Sequence, residues 1–232
     1  MNYVHPPHPT VSVPVIGTDK RFPVHRVYCV GRNYAEHAKE MGDDGREPPF
    51  FFLKPCDAVV PVEEGQCGSI TYPSLTQNLH HEIELVVSIG HGGHNIAVEN
   101  ALEHVYGYAV GLDMTRRDLQ NAMKQQGRPW CIGKAFEQSA PIGPITPAAQ
   151  ASDIEHATLH LQVNGQERQR GQVSDLIWSV AHIIAHLSAA WQLHAGDLIY
   201  TGTPSGVGAV VKGDTMLAHI DGLSDLCVKV ST

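Results

Sequence analysis

A chain of 232 residues with a formal net charge of −8 and no basic run lacks the composition of a nucleic-acid-binding protein. Its hydrophobic fraction of 42% can build a sizeable core, but no apolar run reaches the length of a membrane span. We therefore expect a turn-rich protein with short strands that binds neither nucleic acid nor membranes.

Five cysteines, an odd number without a C-x-x-C pair, predict reduced thiols. The first twenty residues lack the basic start and apolar block of a signal peptide, so we expect a cytoplasmic protein. These residues alternate Pro, His, Val and Thr, which predicts an N-terminal arm over 1–20. One compact domain is expected over 21–232.

The domain opens with a short strand over Val27–Val30, followed by a glycine turn. The next segment predicts a helix with Asn33 as its N-cap and Gly42 as its end. His37 and Glu40 are three residues apart on this helix and could share a proton. Such a pair is usually a solvated helix face, but beside a metal site it would be a base with its orienting carboxylate on a mobile lid.

The aromatic run PPFFFLKP predicts a strand that ends at Lys54, because Pro55 stops it directly afterwards. The Lys54 ammonium would therefore lie at the end of a buried strand. It either extends to solvent along its apolar stem or contacts a ligand.

Two carboxylates lie inside the β-forming run LHHEIELVVSIG over 79–90. Glu82 and Glu84 point to one face of the strand, and the alternating aliphatic residues point to the core, namely Ile83, Leu85 and Val87. Two like charges on one face are tolerated if the face is solvated, if one carboxyl is protonated, or if a cation lies between them.

A third acid in the sequence favours the interpretation that a cation lies between the two glutamates. The run over 104–114 is again apolar and ends in Asp113, which can meet the two glutamates across a sheet. Three carboxylates suit Mg²⁺ or Mn²⁺, with Ca²⁺ as a substitute. The intervening HGGHN segment (91–95) predicts a hairpin turn rather than a metal motif.

A helix is predicted to begin at Thr115, which would cap it. Arg117 and Gln120 lie in its first turns and can reach the same cavity as Asp113, although charges of this kind are common on helix surfaces. Lys134 follows in a sparsely polar stretch, where a buried lysine is costly unless it faces an anion.

The C-terminal part predicts a hairpin over 156–171 around Asn164-Gly165 and an amphipathic helix over 174–193. A strand and a glycine-rich loop follow over 196–210. The loop carries neither phosphate-binding signature, but its small residues and the Thr203 hydroxyl could bind a carboxylate. A final strand pair closes the chain.

The motifs together carry a resemblance. The series VGRNYAEHAKE, FFLKP, LHHEIELVV, YAVGLDMTRRDLQ, GRPW, VNG and GDLIYTGTPSGVG resembles the fumarylacetoacetate hydrolase family, in its branch of single-domain acylpyruvases and fumarylpyruvate hydrolases. The similarity spans 21–230 with the motifs in matching order. It implies an α+β fold that is mostly β, with mixed sheets in a roll or sandwich, a few flanking helices, and a homodimer.

The resemblance also implies roles for single residues. It assigns Mg²⁺ or Mn²⁺ to Glu82, Glu84 and Asp113, and the lid dyad to His37 and Glu40. Its substrate-contacting positions fall on Lys54, Arg117, Gln120, Lys134 and Thr203, with Lys134 also stabilising developing negative charge. Fumarylpyruvate has a distal carboxylate, for which the candidates are Arg32, Arg116 and Arg128.

The implied activity is metal-dependent hydrolysis of a C–C bond in a 2,4-dioxo acid, with fumarylpyruvate yielding fumarate and pyruvate in gentisate-type aromatic catabolism. The same scaffold could instead serve a general acylpyruvase, an oxaloacetate decarboxylase, or an isomerase or hydratase of dicarboxylic 2-oxo acids. A non-catalytic module with a structural Ca²⁺ is a further alternative, but it leaves His37, Glu40 and Lys134 without a role.

Overall fold

Strands make up most of the regular structure in the computed structural model, which describes residues 2–34, 47–151 and 153–231. The strands are β1 (Ser12–Pro14), β2 (Arg21–Pro23), β3 (Val27–Gly31), β4 (Phe50–Lys54), β5 (Val59–Pro61), β6 (Cys67–Thr71), β7 (Leu79–His81), β8 (Ile83–Ile89), β9 (Val105–Leu112), β10 (Thr115–Arg116), β11 (Ala140–Ile142), β12 (Thr146–Pro147), β13 (Thr158–Val163), β14 (Gln166–Gln172), β15 (Leu198–Tyr200), β16 (Gly208–Val210), β17 (Thr215–Ile220) and β18 (Leu226–Ser231). The α-helices in the described residues are α1 (Arg117–Gln125), α2 (Cys131–Lys134) and α3 (Val180–Ala190).

The strands form one large mixed sheet and three smaller sheets. The large sheet has the order β4-β3-β15-β8-β9-β11-β5, with β12 added beside β9. Strand β15 runs parallel to β3 and antiparallel to the central strand β8. The others are a five-stranded sheet (β14-β13-β17-β18-β6), a three-stranded sheet (β10-β7-β16) and the β1-β2 pair. The predicted mostly β, mixed-sheet fold is confirmed.

Strand β8 is buried on both faces, which decides the environment of its acids. Leu85 and Val87 belong to one core cluster, whereas Val86 belongs to a second cluster on the opposite face. The face that carries Glu84 is therefore apolar further along the strand and not in contact with water. The alternative of a solvated glutamate face is wrong.

The predicted C-terminal hairpin is confirmed. Strands β13 and β14 pair antiparallel around Asn164 and Gly165. Both turn residues have positive φ, at 51° and 78°, as a tight turn between twisted strands requires. The final strand pair is also confirmed, as β17 and β18.

The N-terminal segment is paired and partly buried. Strand β1 pairs antiparallel with β2, and Val13 and Val15 lie in the second core cluster. The division of the chain at residue 20 stays a prediction. None of the helices in the described part of the chain has the length and apolar character needed to span a membrane.

Three local predictions are wrong at their boundaries. The HGGHN segment is not a tight hairpin turn, because the connection from β8 to β9 continues through the 3-10 turn Val98–His104, and Gly93 pairs with Leu193. Thr115 does not cap a helix, because β10 pairs with β7 before α1 begins. The last helix is shorter than predicted, because Ser179 caps it and thereby starts it six residues late at Val180.

The predicted helix after Asn33, with His37 and Glu40, lies outside the described residues. Asn33 itself is described, and its side chain cross-links two segments. It donates hydrogen bonds to the carbonyl oxygens of Trp178 and Thr201, each at 2.9 Å.

The prediction that all cysteines are free thiols is wrong for one pair. Cys67 and Cys227 form a disulfide, because the parallel pairing of β6 with β18 brings them into register with a Cα–Cα distance of 4.6 Å. Their separation of 160 residues hid this pairing from sequence reasoning. Cys29, Cys56 and Cys131 are free.

Candidate active site

The three acids meet where strands end. The run over 79–89 is broken at Glu82, between β7 and β8, and Asp113 directly follows β9. The Asp113 amide donates a hydrogen bond of 2.9 Å to the Glu82 carbonyl, which fixes the two segments side by side. Glu82, Glu84 and Asp113 are all buried, and each offers a carboxylate oxygen within 4.8 Å of the others. This is a donor set that could hold a metal ion.

Lys134 bridges two of these acids from the short helix α2. Its Nζ donates to Glu82 Oε2 at 2.8 Å, to Asp113 Oδ2 at 2.7 Å and to Thr115 Oγ1 at 2.7 Å. The ammonium is thus fully bonded, which meets the requirement for burying a lysine charge. Burial lowers the pKa of Lys134, but the Asp113 and Glu82 carboxylates raise it more, so the net shift is upward.

Lys54 lies beneath Asp113. Its Nζ donates to the carbonyl oxygens of Met114, at 3.2 Å, and Lys134. The same nitrogen is 2.8 Å from Asp113 Oδ1, close enough for an ion pair. Lys54 is buried, so the alternative of a lysine extended to solvent is wrong.

Arg117 supplies the third cation from the first turn of α1. Its guanidinium donates to Glu82 Oε1 and to Gln120 Oε1. Lys54, Lys134 and Arg117 therefore all form ion pairs with Glu82 or Asp113.

Glu84 is the acid with the weakest protein partners. Its Oε2 accepts a 2.7 Å hydrogen bond from the Gly202 amide. Burial raises the pKa of Glu84 well above its usual range, and the negative charges of Asp113 and Glu82 raise it further. A carboxylate held in this way gains most from an added cation.

One oxygen of the cluster accepts no hydrogen bond from the described residues. Asp113 Oδ1 is buried, and its described contact is the ion pair with Lys54 at 2.8 Å. A buried carboxylate oxygen in this state has capacity for a further partner. Together with the oxygen-only donor set, this observation fits a hard divalent cation.

The acids open onto a cavity. The cavity wall contains all three acids and most of the predicted substrate-binding residues, namely Arg32, Arg117, Gln120, Lys134 and Thr203. Phe52 and Trp130 add an apolar side. Lys54 is not part of this wall.

The fumarylacetoacetate (FAA) hydrolase C-terminal family model matches residues 26–231. The chain belongs to the fumarylacetoacetate hydrolase family. The family resemblance of the motifs is therefore confirmed.

One solved structure and two relatives compared by sequence show which members of the family this chain resembles. The crystal structure of fumarylpyruvate hydrolase from Pseudomonas aeruginosa in complex with Mn²⁺ and pyruvate matches with a TM-score of 0.97 and 58% identity, over 99% of both chains. Fumarylpyruvate hydrolase of Ralstonia sp. is 44% identical over 188 residues, which are 81% of this chain and 95% of that protein. Mitochondrial oxaloacetate tautomerase of Rattus norvegicus is 43% identical over 204 residues, covering 88% and 90%.

Of the three arginines proposed to bind the distal carboxylate, one lies in the cavity wall and two lie elsewhere. Arg32 lies in the cavity wall, with its guanidinium 5.6 Å from the Phe50 ring centre and 5.9 Å from that of Trp130. Arg116 stacks on Phe136 at 4.4 Å and is absent from the wall. Arg128 lines a separate groove along β4.

Sequence reasoning missed Gln169, a buried residue of β14 whose amide binds both β8 and the loop that follows β15. Its Oε1 accepts a 3.1 Å hydrogen bond from the Ile83 amide, and its Nε2 donates to Thr203 Oγ1 at 2.8 Å. In the polar strand QERQRGQ it is the single buried residue. The hairpin register read from the turn would pair Leu161 with Arg168, so the sequence offered no local signal for Gln169.

Proposed function

We propose that this family member is a metal-dependent hydrolase that cleaves the C3–C4 bond of a 2,4-dioxo acid. The proposed reaction is fumarylpyruvate plus water to fumarate plus pyruvate. The observation that carries the proposal is the buried cluster of Glu82, Glu84 and Asp113 at the end of a cavity that also contains Lys134. The similarity to two fumarylpyruvate hydrolases supports the choice of substrate.

Glu82, Glu84 and Asp113 would hold Mg²⁺ or Mn²⁺, and the similar Pseudomonas aeruginosa enzyme contains Mn²⁺. Bound there, such an ion would supply Lewis acidity toward a substrate oxygen. A divalent ion would add positive charge to the cavity wall beside Lys134 and Arg117. This charge is complementary to a substrate with two carboxylates.

Lys134 is proposed to act in the cavity through its positive charge, since its three N–H groups already bond to Glu82, Asp113 and Thr115. Its pKa is raised, so the amine stays protonated near neutral pH and can stabilise negative charge on the oxygen of the departing pyruvate. Gln120, which is buried in the same wall, is proposed to contribute a second polar contact.

His37, oriented by Glu40, is proposed to take a proton from the water that attacks the 4-keto carbon. Both residues lie outside the described part of the chain, so their roles stay predictions. Lys54 is proposed to position Asp113 instead of touching substrate, because it lies beneath that carboxylate and not in the cavity wall.

Two groups are proposed to hold the ends of the substrate. Thr203 and its loop would bind the pyruvyl carboxylate, and Arg32 would bind the distal carboxylate of the fumaryl group. Arg32 is favoured over Arg116 and Arg128 because it lies in the same cavity wall as the acids. Its backbone φ of 55° is unusual for a residue with a side chain and is typical of functional sites.

A second candidate function is enolisation or decarboxylation of oxaloacetate. Similarity to an oxaloacetate tautomerase favours it, and oxaloacetate also carries two carboxylates. Neither reaction adds water to a carbon atom. The two candidates therefore differ in their products from the same purified protein.

The test is an assay of the purified protein on fumarylpyruvate, acetylpyruvate and oxaloacetate, with and without a chelator. We expect fumarylpyruvate to lose its ultraviolet absorbance, and fumarate and pyruvate to form in equal amounts, only when Mn²⁺ or Mg²⁺ is present. Turnover that persists in metal-stripped protein would refute the scheme. Faster turnover of oxaloacetate than of fumarylpyruvate would favour the second candidate.

We also propose a homodimer, a cytoplasmic location and a role in gentisate-type aromatic catabolism. Light scattering on the purified protein would give about twice the mass of 25.2 kDa for the dimer. A mass of one chain at assay concentrations would contradict this proposal without affecting the proposed chemistry.

A further inference from the structure

We propose that Gln169 is a positioning residue that makes the Thr203 hydroxyl a hydrogen-bond donor directed at the carboxylate of the bound 2-oxo acid. This inference rests on the proposed function, since it concerns how the same cavity binds its substrate. Gln169 itself is fully enclosed and belongs to β14 of the five-stranded sheet, outside the cavity wall.

The orientation of the Gln169 amide follows from two backbone groups. The Ile83 N–H can only donate, so the atom that faces it at 3.1 Å is the carbonyl oxygen Oε1. The Pro204 carbonyl can only accept, so the atom that faces it at 2.9 Å is the amide nitrogen Nε2. Neither contact is compatible with a flipped amide.

The direction of the Thr203 hydroxyl follows in turn. Gln169 Nε2 is 2.8 Å from Thr203 Oγ1 and has no lone pair to offer, so the hydroxyl oxygen must accept this bond. The hydroxyl proton is then free to point elsewhere, and it has no acceptor among the described residues. Because Thr203 lies in the cavity wall with the acids, the proton is available to a ligand there.

A substrate carboxylate matches this arrangement, since an ionised carboxylate accepts hydrogen bonds and cannot donate them. The hydrogen bonds that lead to Thr203 begin at His81, which donates to Gln169. His81 Nδ1 is 2.8 Å from Gln169 Oε1, an acceptor, so this nitrogen carries the proton. The bonds from His81 through Gln169 to Thr203 therefore all run in one direction, and such chains strengthen each bond by polarisation.

A β-bulge brings Gln169 to this position. Leu161 pairs with Gln169 while Gln162 pairs with Glu167, so Arg168 is the extra residue. The bulge moves Gln169 to the buried face, where it can reach the loop after β15. The loop approaches the bulge closely, and a side chain at Gly206 would lie only 2.2 Å from the Arg168 carbonyl oxygen.

The same loop is tied to the acid cluster, because the Gly202 amide bonds to Glu84. Gln169 thus holds the loop at Thr203 and Pro204 while Glu84 holds it at Gly202. The donor direction of Thr203 is set relative to the acids by two independent attachments. A loss of Gln169 would free the hydroxyl without removing a ligand of the acid cluster.

The experiment is a double-mutant cycle on pyruvate binding by Mn²⁺-loaded protein, measured by isothermal titration calorimetry. We expect Thr203→Val to weaken binding about tenfold, the effect of a lost hydrogen bond to a charged group, and Thr203→Ser to retain it. Gln169→Met should also weaken binding about tenfold in the wild-type background. In the Thr203→Val background it should add no further loss, because the hydroxyl that it orients is already gone.

The controls separate positioning from a structural role. Gln166→Met changes an exposed glutamine of the same strand and should bind pyruvate as the wild type does. Mn²⁺ affinity, titrated separately, should be unchanged in Gln169→Met. If Gln169→Met does not fold, Gln169→Glu replaces it, because its carboxylate still accepts from Ile83 but would also accept the Thr203 proton. Weaker pyruvate binding by this variant is expected.

Two results would overturn the inference while leaving the proposed function intact. One is wild-type affinity for pyruvate in the Gln169 variants. The other is an equal loss from Gln169→Met in both backgrounds, which would make Gln169 merely structural. By contrast, wild-type Mn²⁺-loaded protein that neither binds pyruvate nor hydrolyses fumarylpyruvate would overturn the proposed function and this inference with it.

Discussion

Charged side chains occur in two contrasting regions of the molecule, the buried cluster around Asp113 and the exposed surface of the five-stranded sheet. In the Lys134–Asp113 pair the side chains are only 3% and 1% exposed, whereas in the Arg170–Glu167 pair they are 55% and 44% exposed. The two pairs have similar short contacts. They differ in the water that surrounds them, and this difference sets what each pair contributes.

Exposed ion pairs contribute about 0–1 kcal/mol to stability, because water screens the charges and solvates them when they separate. Buried charges lose their hydration, so each of them depends on its partners. A hydrophobic cluster would stabilise the strand ends of β8 and β9 at least as well. We infer that the buried charges of this protein serve its chemistry, while the charges on the sheet surface serve solubility.

The largest expected effect is in the acid cluster. Glu82→Ala should lower metal-dependent turnover of fumarylpyruvate by more than about 10³-fold, because it removes one of three proposed metal ligands. Turnover is measured as the loss of ultraviolet absorbance with saturating Mn²⁺. Glu167→Ala removes an exposed glutamate and should retain wild-type turnover. Equal losses in both variants would erase the distinction between the two regions.

Removing the bridging cation should cost stability. Lys134→Met leaves Glu82 and Asp113 buried without their shared donor, for which we expect a loss of about 3–5 kcal/mol in the free energy of urea-induced unfolding. Added Mn²⁺ should restore part of this loss, since a divalent cation replaces the missing positive charge. The exposed Lys229→Met is the matched control. If Lys134→Met is as stable as Lys229→Met, the buried carboxylates of Glu82 and Asp113 do not depend on Lys134.

The five-stranded sheet is expected to depend on its disulfide more than on its charges. Cys67→Ser removes the disulfide that joins residues 160 positions apart. We expect a loss of about 2–4 kcal/mol in the free energy of unfolding. Cys56→Ser, which changes an exposed free thiol, should have no such effect. Both variants are compared by urea unfolding without reductant. Equal stability of wild-type protein with and without reductant would argue against this role.

The smallest expected effect is a pH dependence at the exposed surface. Burial lowers the pKa of His219, but hydrogen bonds to Asp225, at 2.6 Å, and to Asp221, at 3.1 Å, raise it more, so the net shift is upward. The protonated form is therefore favoured in the folded state. Its stabilisation is complete below the unfolded pKa of about 6.5 and disappears as the pH rises through the folded value.

We therefore expect His219→Gln to be less stable than wild type by about 0.5 kcal/mol at pH 5.5 and equally stable at pH 9. Urea unfolding at the two pH values measures the difference. A destabilisation that is larger at pH 9 would reverse the sign and exclude the proposed protonation.

Much of the site follows from local sequence pattern. The alternation of the run over 79–90 predicted Glu82 and Glu84 on one face, and the length of the run before Asp113 put that acid at a strand exit. The need of a buried lysine for an anion pointed from Lys134 to the acids. These inferences succeed because they depend on neighbours along the chain.

Other features could not be predicted, because residues distant in sequence decide them. The Ile83 amide, directly after the break at Glu82, donates a hydrogen bond to Gln169 of the distant strand β14. The Cys67–Cys227 disulfide depends on the pairing of β6 with β18. The short strand at Thr115, which replaced the predicted helix cap, depends on β7.

By itself, the sequence determined which residue types could bind a divalent cation, that Asp113 directly follows a strand, and where the C-terminal hairpin turns. Only the tertiary structure decided that both faces of β8 are buried, that Lys54 supports Asp113 from outside the cavity wall, and that a bulge at Arg168 turns Gln169 inward. The physical reason is that side-chain periodicity is local. Burial, register and the partners of a buried polar group are set by contacts between segments far apart in the chain.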